Sequence, residues 1–368
     1  MIIAFFILLG FKGTIRDKIF SFNGHFLVSK YTLGASLQED PISTNYPIYL
    51  EPEKFDYIDH VQEFSHKAGL IKTNEEVDGV GLKGIGESFS LDYFAGNLKE
   101  GDFIGFKDDS YSTDIVLSQK ISDRLKLQVG DPFIMHFIQD PPRSRRLNVV
   151  GIYETGLEDF DDKVILGDIA LIRRLNNWAD TLAGGFEIYL KDVENIDAVY
   201  EEMYYAVDPN LFVQKVSDKY IQIFDWLHLI DNNVTIFLVL ILFVASFNMV
   251  SIVLILIMER TQMIGLLKAV GAGNSMIRKI FRYQGMELIA KGLALGNFVG
   301  LGLCYLQYKF QLIKLDQESY YMSYVPIYWD WSVVLLLNLL IFLVVTFVMI
   351  MPTTAISRMS PIKSIRFD

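Results

Sequence analysis

The sequence predicts an α-helical transmembrane protein of four spans, the first of them truncated, with a mixed α+β extracytoplasmic domain between spans 1 and 2. Three observations carry this prediction. Val234–Met258 runs twenty-five residues without Lys, Arg, Asp or Glu, and roughly 20 apolar helical residues suffice to cross a bilayer core. The segment that follows, Glu259–Gln284, holds five basic residues (Arg260, Lys268, Arg278, Lys279, Arg282) against the single acid Glu259, a bias that marks a cytoplasmic loop. The composition, 51% hydrophobic yet 21% charged, is too apolar for an ordinary soluble protein and too charged for one made only of spans.

Taken in order, residues 1–11 open with the apolar run Met1–Leu9, about 14 Å of helix and less than half a bilayer. A signal peptide is not indicated, since a basic leader and a small-residue cleavage site are missing. The run reads as a short interfacial anchor or as the outer half of a first span whose beginning is lost. Residues 12–215 contain no long apolar run and are expected to fold as an aqueous domain. Short β-type segments recur there at Gly24–Val28, Val80–Ile85, Ile115–Leu117, Phe133–Phe137, Leu147–Tyr153, Val164–Leu166 and Phe186–Leu190. Helical patterns fall between them at Glu53–Ala68, Ser118–Leu127, Gly167–Leu175 and Val193–Ala206.

Residues 216–233 place Ile221, Phe224, Leu227, Leu229 and Ile230 at near-helical spacing and run without proline into the span at 234–258. This reads as a stalk helix continuous with span 2, or as a core helix of the domain. In the loop 259–284, Ile264, Leu267 and Val270 have helical spacing, Gly271-Ala272-Gly273 is a stop, and Asn274 or Ser275 is a fresh N-cap. A short helix at the cytoplasmic surface suits a docking element or an interfacial helix resting on lipid. Span 3 (285–308) carries Glu287 and Lys291 in its first turns, spaced to pair, and small residues at four-residue intervals. An aromatic outer loop (309–330), span 4 (331–352) and a tail (353–368) made basic by Arg358, Lys363 and Arg366 complete the chain.

Charge excludes some partners. Residues 1–258 carry 22 basic and 38 acidic residues, so a nucleic-acid backbone would be repelled. Cys304 is the sole cysteine and lies in an apolar run, which rules out an intrachain disulfide and any Cys-based metal site. The glycine-rich GVGLKGIGES lacks the G-K-[ST] ending of a nucleotide loop and reads as turn glycines in a β-rich segment. The five histidines form no metal-ligand pattern, with His60 and His66 on different faces of one helix. Asp159, Asp161 and Asp162 resemble half a calcium loop without its glycine and terminal glutamate, and read as a solvated acidic turn. No catalytic constellation is legible, and no catalytic or metal-binding residue is assigned.

Several stretches together resemble the permease subunits of lipoprotein-releasing ABC transporters (LolC/LolE type), within the superfamily that includes MacB and FtsX. They are Phe247-Asn248, Met258-Glu259-Arg260, Ile264 to Ala272 (IGLLKAVGA), Ile277, Ile280-Phe281 and Gln284-Gly285. GVGLKGI (Gly79–Ile85), IVLSQKISDRLKLQVGDPF (Ile115–Phe133) and LNVVGIYETGLEDFD (Leu147–Asp161) follow the family order in the outer domain. The resemblance implies a first helix that is N-terminally shortened here, a bacterial inner-membrane location, and a large domain in the periplasm. It implies a non-catalytic subunit that binds no cofactor itself, with ATP and Mg2+ held by a partner ATPase subunit. A second permease subunit, membrane lipid, a lipoprotein substrate and a periplasmic carrier complete the implied partners.

The resemblance also distributes roles over residues. ATPase coupling falls to Glu259, Arg260, Ile264, Gly265, Leu266, Lys268, Ala269, Gly271 and Ala272. An acyl-chain cavity falls to Phe243, Phe247, Asn248 and Met249, or that face packs on neighbouring helices. The hairpin tip with Pro141, Pro142, Arg143 and Arg145 is a basic projection or a carrier contact, shorter than the hook-bearing kind. Two other readings stay open: a related mechanotransmission permease for efflux or cell-wall hydrolase control, and a receptor module held in the membrane without ATP coupling.

Overall fold

A computed structural model describes residues 1–30, 39–73, 76–107, 110–193 and 195–354. The basic tail expected from Arg358, Lys363 and Arg366 lies outside these residues. The chain divides into two compact units, one made of Thr14–Phe224 with Leu315–Ser323, the other of Met1–Gly13, Asp225–Lys314 and Tyr324–Asp368.

The first unit is built on a mixed sheet that has, among the described residues, ten strands. In chain order they are β1 (Phe26–Lys30), β2 (Ile58–Lys72), β3 (Val77–Ile85), β4 (Leu98–Gly101), β5 (Asp114–Ser118), β6 (Pro132–Phe137), β7 (Arg143–Tyr153), β8 (Val164–Asp168), β9 (Gly185–Leu190) and β10 (Leu211–Lys215). They lie side by side as β10-β1-β9-β2-β3-β8-β5-β7-β4, and β6 pairs with both β2 and β7. The contacts β3/β8 and β5/β7 are parallel and the rest antiparallel. Every segment read as β-type from the sequence overlaps one of these strands, although Gly24 and His25 of the first precede β1.

Helix α1 (Ile2–Asn23) enters the sheet through Gly24. Helices α2 (Gln119–Leu125) and α3 (Ile169–Asn176) start at N-caps: the Ser118 hydroxyl accepts from Ile121 N at 3.1 Å, and the Asp168 carboxylate from Ala170 N at 2.8 Å. Each stops at a left-handed residue, Lys126 and Asn177. Their apolar faces (Ile121, Leu125, Leu171, Ile172, Leu175) cover one core with Leu82, Ile115, Leu117 and Ile165. Helix α4 (Ile196–Ala206) covers a second core with Phe26, Val28, Phe186, Ile188 and Val213.

Four expectations are overturned here. Glu53–Ala68 is not helical, because most of it belongs to the fifteen-residue strand β2. Val61, Phe64 and Ala68 mimic helical spacing, but the polar residues between them, Gln62, Glu63, Ser65 and Lys67, are buried as well. On a strand His60 and His66 lie an even number apart and share a face. Asp161 is no solvated turn residue: it is buried, and its carboxylate accepts from Thr155 N, Thr155 Oγ1 and Gly156 N at 2.7–3.0 Å. Burial pushes its pKa up, against the pull of those donors. In GVGLKGI the glycines sit along β3 rather than in a turn, and a Cβ on Gly84 would fall 2.9 Å from Ile169 Cα of α3.

His25, just past α1, is buried, and its Nδ1 accepts from Leu190 N at 3.0 Å. Burial, reinforced by Arg16, lowers its pKa to about 4. A histidine depressed below its ordinary value near 6.5 binds fewer protons folded than unfolded. Its contribution is therefore fully present above pH 6.5 and lost between pH 6.5 and 4. The expected result is a His25 imidazole that stays neutral in NMR titration down to about pH 4. A midpoint near 6.5 would refute it.

The second unit holds, among the described residues, three helices long and apolar enough to cross a membrane: Ile221–Glu259, Asn274–Phe310 and Trp331–Thr353. They comprise α5 (Ile221–Glu259), α7 (Asn274–Phe310) and α8 (Trp331–Val348), with the short α6 (Thr261–Ala269) after α5. The stalk-like residues from Ile221 are continuous with the apolar run, while Val216–Lys219 form a separate turn of helix. The N-terminal apolar residues do not end at residue 11 but continue as helix to Asn23, with Lys12, Arg16, Asp17 and Lys18 breaking the apolar run. Within this unit Lys12 pairs with Asp231 at 2.5 Å, and Phe6 meets Trp329 edge-on at 5.3 Å. Asn297 and Asn338 exchange amide hydrogen bonds of 2.8 and 3.2 Å between α7 and α8. Of the expected outer loop, Leu315–Ser323 belongs to the sheet-bearing unit, where Gln317 donates to Glu154 at 2.7 Å.

Candidate functional site

The end of α5 is the best-built candidate. Arg260 departs from helical geometry (φ −103°, ψ 18°), and α6 begins at Thr261, whose hydroxyl donates to Met258 O at 2.7 Å. The helix stops in a Schellman turn: Ala272 N donates to Leu267 O at 2.9 Å and Gly271 N to Lys268 O at 3.0 Å. Gly271 sits at φ +97°, which a residue with a side chain adopts only under strain. Helix α7 then starts with Gly273 as its N-cap, so neither Asn274 nor Ser275 caps it as expected.

One face of α6 is committed to packing. Ile264 and Gly265 are buried, and Ile264 with Met263, Leu267 and Ala272 joins a cluster made by Met249, Val253 and Ile257 of α5, Ile277, Phe281 and Ile289 of α7, and Val345 of α8. The apolar stripe that suggested docking is thus mostly the face that fastens α6 down. The opposite face carries Leu266, 62% exposed, Val270, 82% exposed, and Ala269, with Glu259 and Arg260 exposed ahead of it. Of the nine coupling residues, the structure leaves Glu259, Arg260, Leu266, Ala269 and Gly271 open to a partner, half-buries Lys268 and Ala272, and withdraws Ile264 and Gly265. Val270, the last residue of the apolar stripe, and Met276, at the start of α7 and not singled out by the sequence, are both exposed apolar side chains beside this face.

The four cavity residues do not share a surface. Phe243, Phe247 and Asn248 are exposed on α5, whereas Met249 is buried among the helices, close to Gly285. Phe243 and Phe247 are one turn apart, but Met249 is two residues past Phe247 and points the opposite way. At the hairpin, Phe137 pairs with Arg143, so residues 138–142 form the tip, with Pro141 and Pro142 exposed. Arg143 is turned back, donating to Leu175 O at 2.9 Å and Arg174 O at 3.2 Å, where it satisfies carbonyls at the end of α3. Arg145 is half-buried and donates to Ser144 O at 2.9 Å, which leaves the prolines as the outward part of the tip and Arg146, exposed on β7, as the outward arginine beside it. Among the described residues no group of three His, Cys, Asp or Glu side chains could hold a metal ion.

Residues 235–361 match the FtsX-like permease C-terminal family. The lipoprotein-releasing system transmembrane protein LolC of Xylella fastidiosa (strain Temecula1) is 21% identical, over 98% of this chain and 89% of that protein. Its namesake from Neisseria meningitidis serogroup B is 23% identical, over 81% of this chain and 76% of that protein. Among solved structures, the periplasmic region of MacB from Actinobacillus actinomycetemcomitans is similar at 13% identity and a TM-score of 0.37, covering 54% of this chain and 91% of that one.

Proposed function

We propose, starting from an ABC-transporter permease that is LolC-like along its length and FtsX-like over residues 235–361, that this chain drives release of lipoproteins from the bacterial inner membrane to a periplasmic carrier. The energy comes from a separate ATPase subunit, which holds ATP and Mg2+. A second permease subunit completes the transporter. In this reading α1 contributes a fourth span, the sheet-bearing unit lies in the periplasm, and α6 lies in the cytoplasm.

The observation that supports this most is the exposed apolar face of α6, Leu266 and Val270, on a helix whose other face is locked among α5, α7 and α8. A face held so firmly moves with α5, and α5 is unbroken from Ile221 to Glu259. A push on α6 from an ATPase would therefore be carried along α5 rather than absorbed in a loop. Phe243 and Phe247, on the exposed side of α5, would meet acyl chains.

Gentle solubilisation followed by purification tests the coupling, and photocrosslinking from Phe243 or Phe247 under ATP turnover tests the cargo. The expected result is an ATPase subunit in the complex and crosslinks to lipoprotein acyl chains. A complex without an ATPase would favour a membrane-held receptor. An ATPase with no lipoprotein crosslink would favour an efflux or hydrolase-regulating permease.

A further inference from the structure

The motif GVGLKGI remains unexplained by the coupling site, and its lysine is fully buried. Lys83 on β3 pairs with Glu187 on β9 at 2.6 Å, and each side chain is 1% exposed. Lys83 Nζ also donates to Phe22 O and lies 4.6 Å above the Phe22 ring. Glu187 accepts from Gln62 on β2 at 2.7 Å. From the same strand as Glu187, the Tyr189 hydroxyl donates to Ser21 O at 3.2 Å. Ser21 and Phe22 belong to the last turn of α1, whose carbonyls have no partner within the helix and carry its negative dipole end. The turn closes on Gly24 at φ +70°, with Gly24 N donating to Phe20 O at 2.8 Å. Phe22 stacks on Phe160 at 4.4 Å, and Ile15 and Ile19 are fully buried.

We infer that the buried Lys83–Glu187 pair, with Tyr189, is a socket that fixes the C-terminal end of α1 in the centre of the sheet, and that these are positioning residues for the transport stroke. A buried ion pair adds little net stability compared with apolar residues of the same size, because desolvating both charges offsets their attraction. Sheet strength alone therefore gives no reason for this pair. Its cation ends on a helix carbonyl, where a neutral aliphatic chain could not replace it. Thr14–Asn23 of α1 belong to the same compact unit as the sheet, so gripping the last turn fixes this part of the helix on the sheet. The second half of this inference rests on the transport reading above, while the first half does not.

The double variant Lys83→Met/Glu187→Gln removes both charges, retains a partner for Gln62 and leaves the α1 carbonyl without its cation. In the full chain reconstituted with its ATPase, hydrogen exchange at amides 19–24 is expected to rise about tenfold, as expected when local opening becomes easier. Lipoprotein released per ATP should fall by a similar factor, with ATP hydrolysis retained. Should the double variant fail to fold, Tyr189→Phe deletes only the hydroxyl on Ser21 O and should raise exchange at the same amides by a smaller factor. Unchanged exchange there overturns the socket. Raised exchange with undiminished release per ATP overturns the positioning role. If the wild type releases no lipoprotein but exchange still responds, the transport reading fails and the socket stands.

Discussion

In the proposed transporter, Leu266→Asp is expected to abolish most ATP-driven release while leaving the permease folded. Leu266 is 62% exposed on the free face of α6, so a carboxylate there costs the isolated chain almost nothing. Under the proposed coupling a partner covers that face, and the same carboxylate is then buried without a counter-charge. Truncating or mispairing a buried interfacial charge costs about 2–5 kcal/mol, which weakens association roughly 30-fold or more. ATPase retention on the purified permease and release per ATP are the measurements. Ile264→Ala gives the opposite pattern, because Ile264 is fully buried: a loss of about 2–5 kcal/mol in stability, with the docking face chemically unaltered. Gly271→Val falls between, since its φ of +97° is strained for any side chain although nothing lies within 4 Å of its Cβ, and the strain is about 1–2 kcal/mol. Leu266→Asp with full ATPase retention and full release would remove α6 as the docking element.

The contrast between Leu266 and Ile264 shows what the sequence could and could not disclose. Apolar runs, charge bias, glycine stops and the motif between Glu259 and Gly285 are local signals, so α5, α6 and the turn at Gly271 were legible. Which face of α6 packs is a tertiary fact. Ile264, Leu267 and Val270 look alike in a one-dimensional pattern, yet two of them are fastened down and the third is free. Met249 was grouped with Phe247 although two residues on a helix point to opposite sides, an error that geometry alone would have caught. In the sheet-bearing unit, alternating and β-branched segments were readable, whereas β2 was not. Its interior positions hold Gln62, Glu63, Ser65 and Lys67, and polar residues become acceptable in a core only through partners that arrive from distant strands and helices.

Arg173 is such a partner, and removing it is expected to have the largest effect on stability. Its Nη2 meets Glu63 Oε2 of β2 at 2.6 Å, its Nε donates to Leu182 O at 2.7 Å, and the two side chains of the pair are 11% and 9% exposed. Burial raises the Glu63 pKa, while the Arg173 charge and hydrogen bond pull it down. With Arg173→Met the burial remains and the opposing pull is gone, so the sheet keeps a carboxylate that must either stay charged and unpaired or take up a proton. Breaking a buried pair from one side costs about 3–5 kcal/mol, a large part of the margin of a domain stable by about 5–15 kcal/mol. Thermal unfolding of Arg173→Met should shift down by many degrees, and Glu63→Gln/Arg173→Met should recover part of the loss, because a neutral amide tolerates the site better than a lone carboxylate. Equal destabilisation in the single and double variants would mean that Arg173 acts through packing and the Leu182 carbonyl, not through the charge it faces.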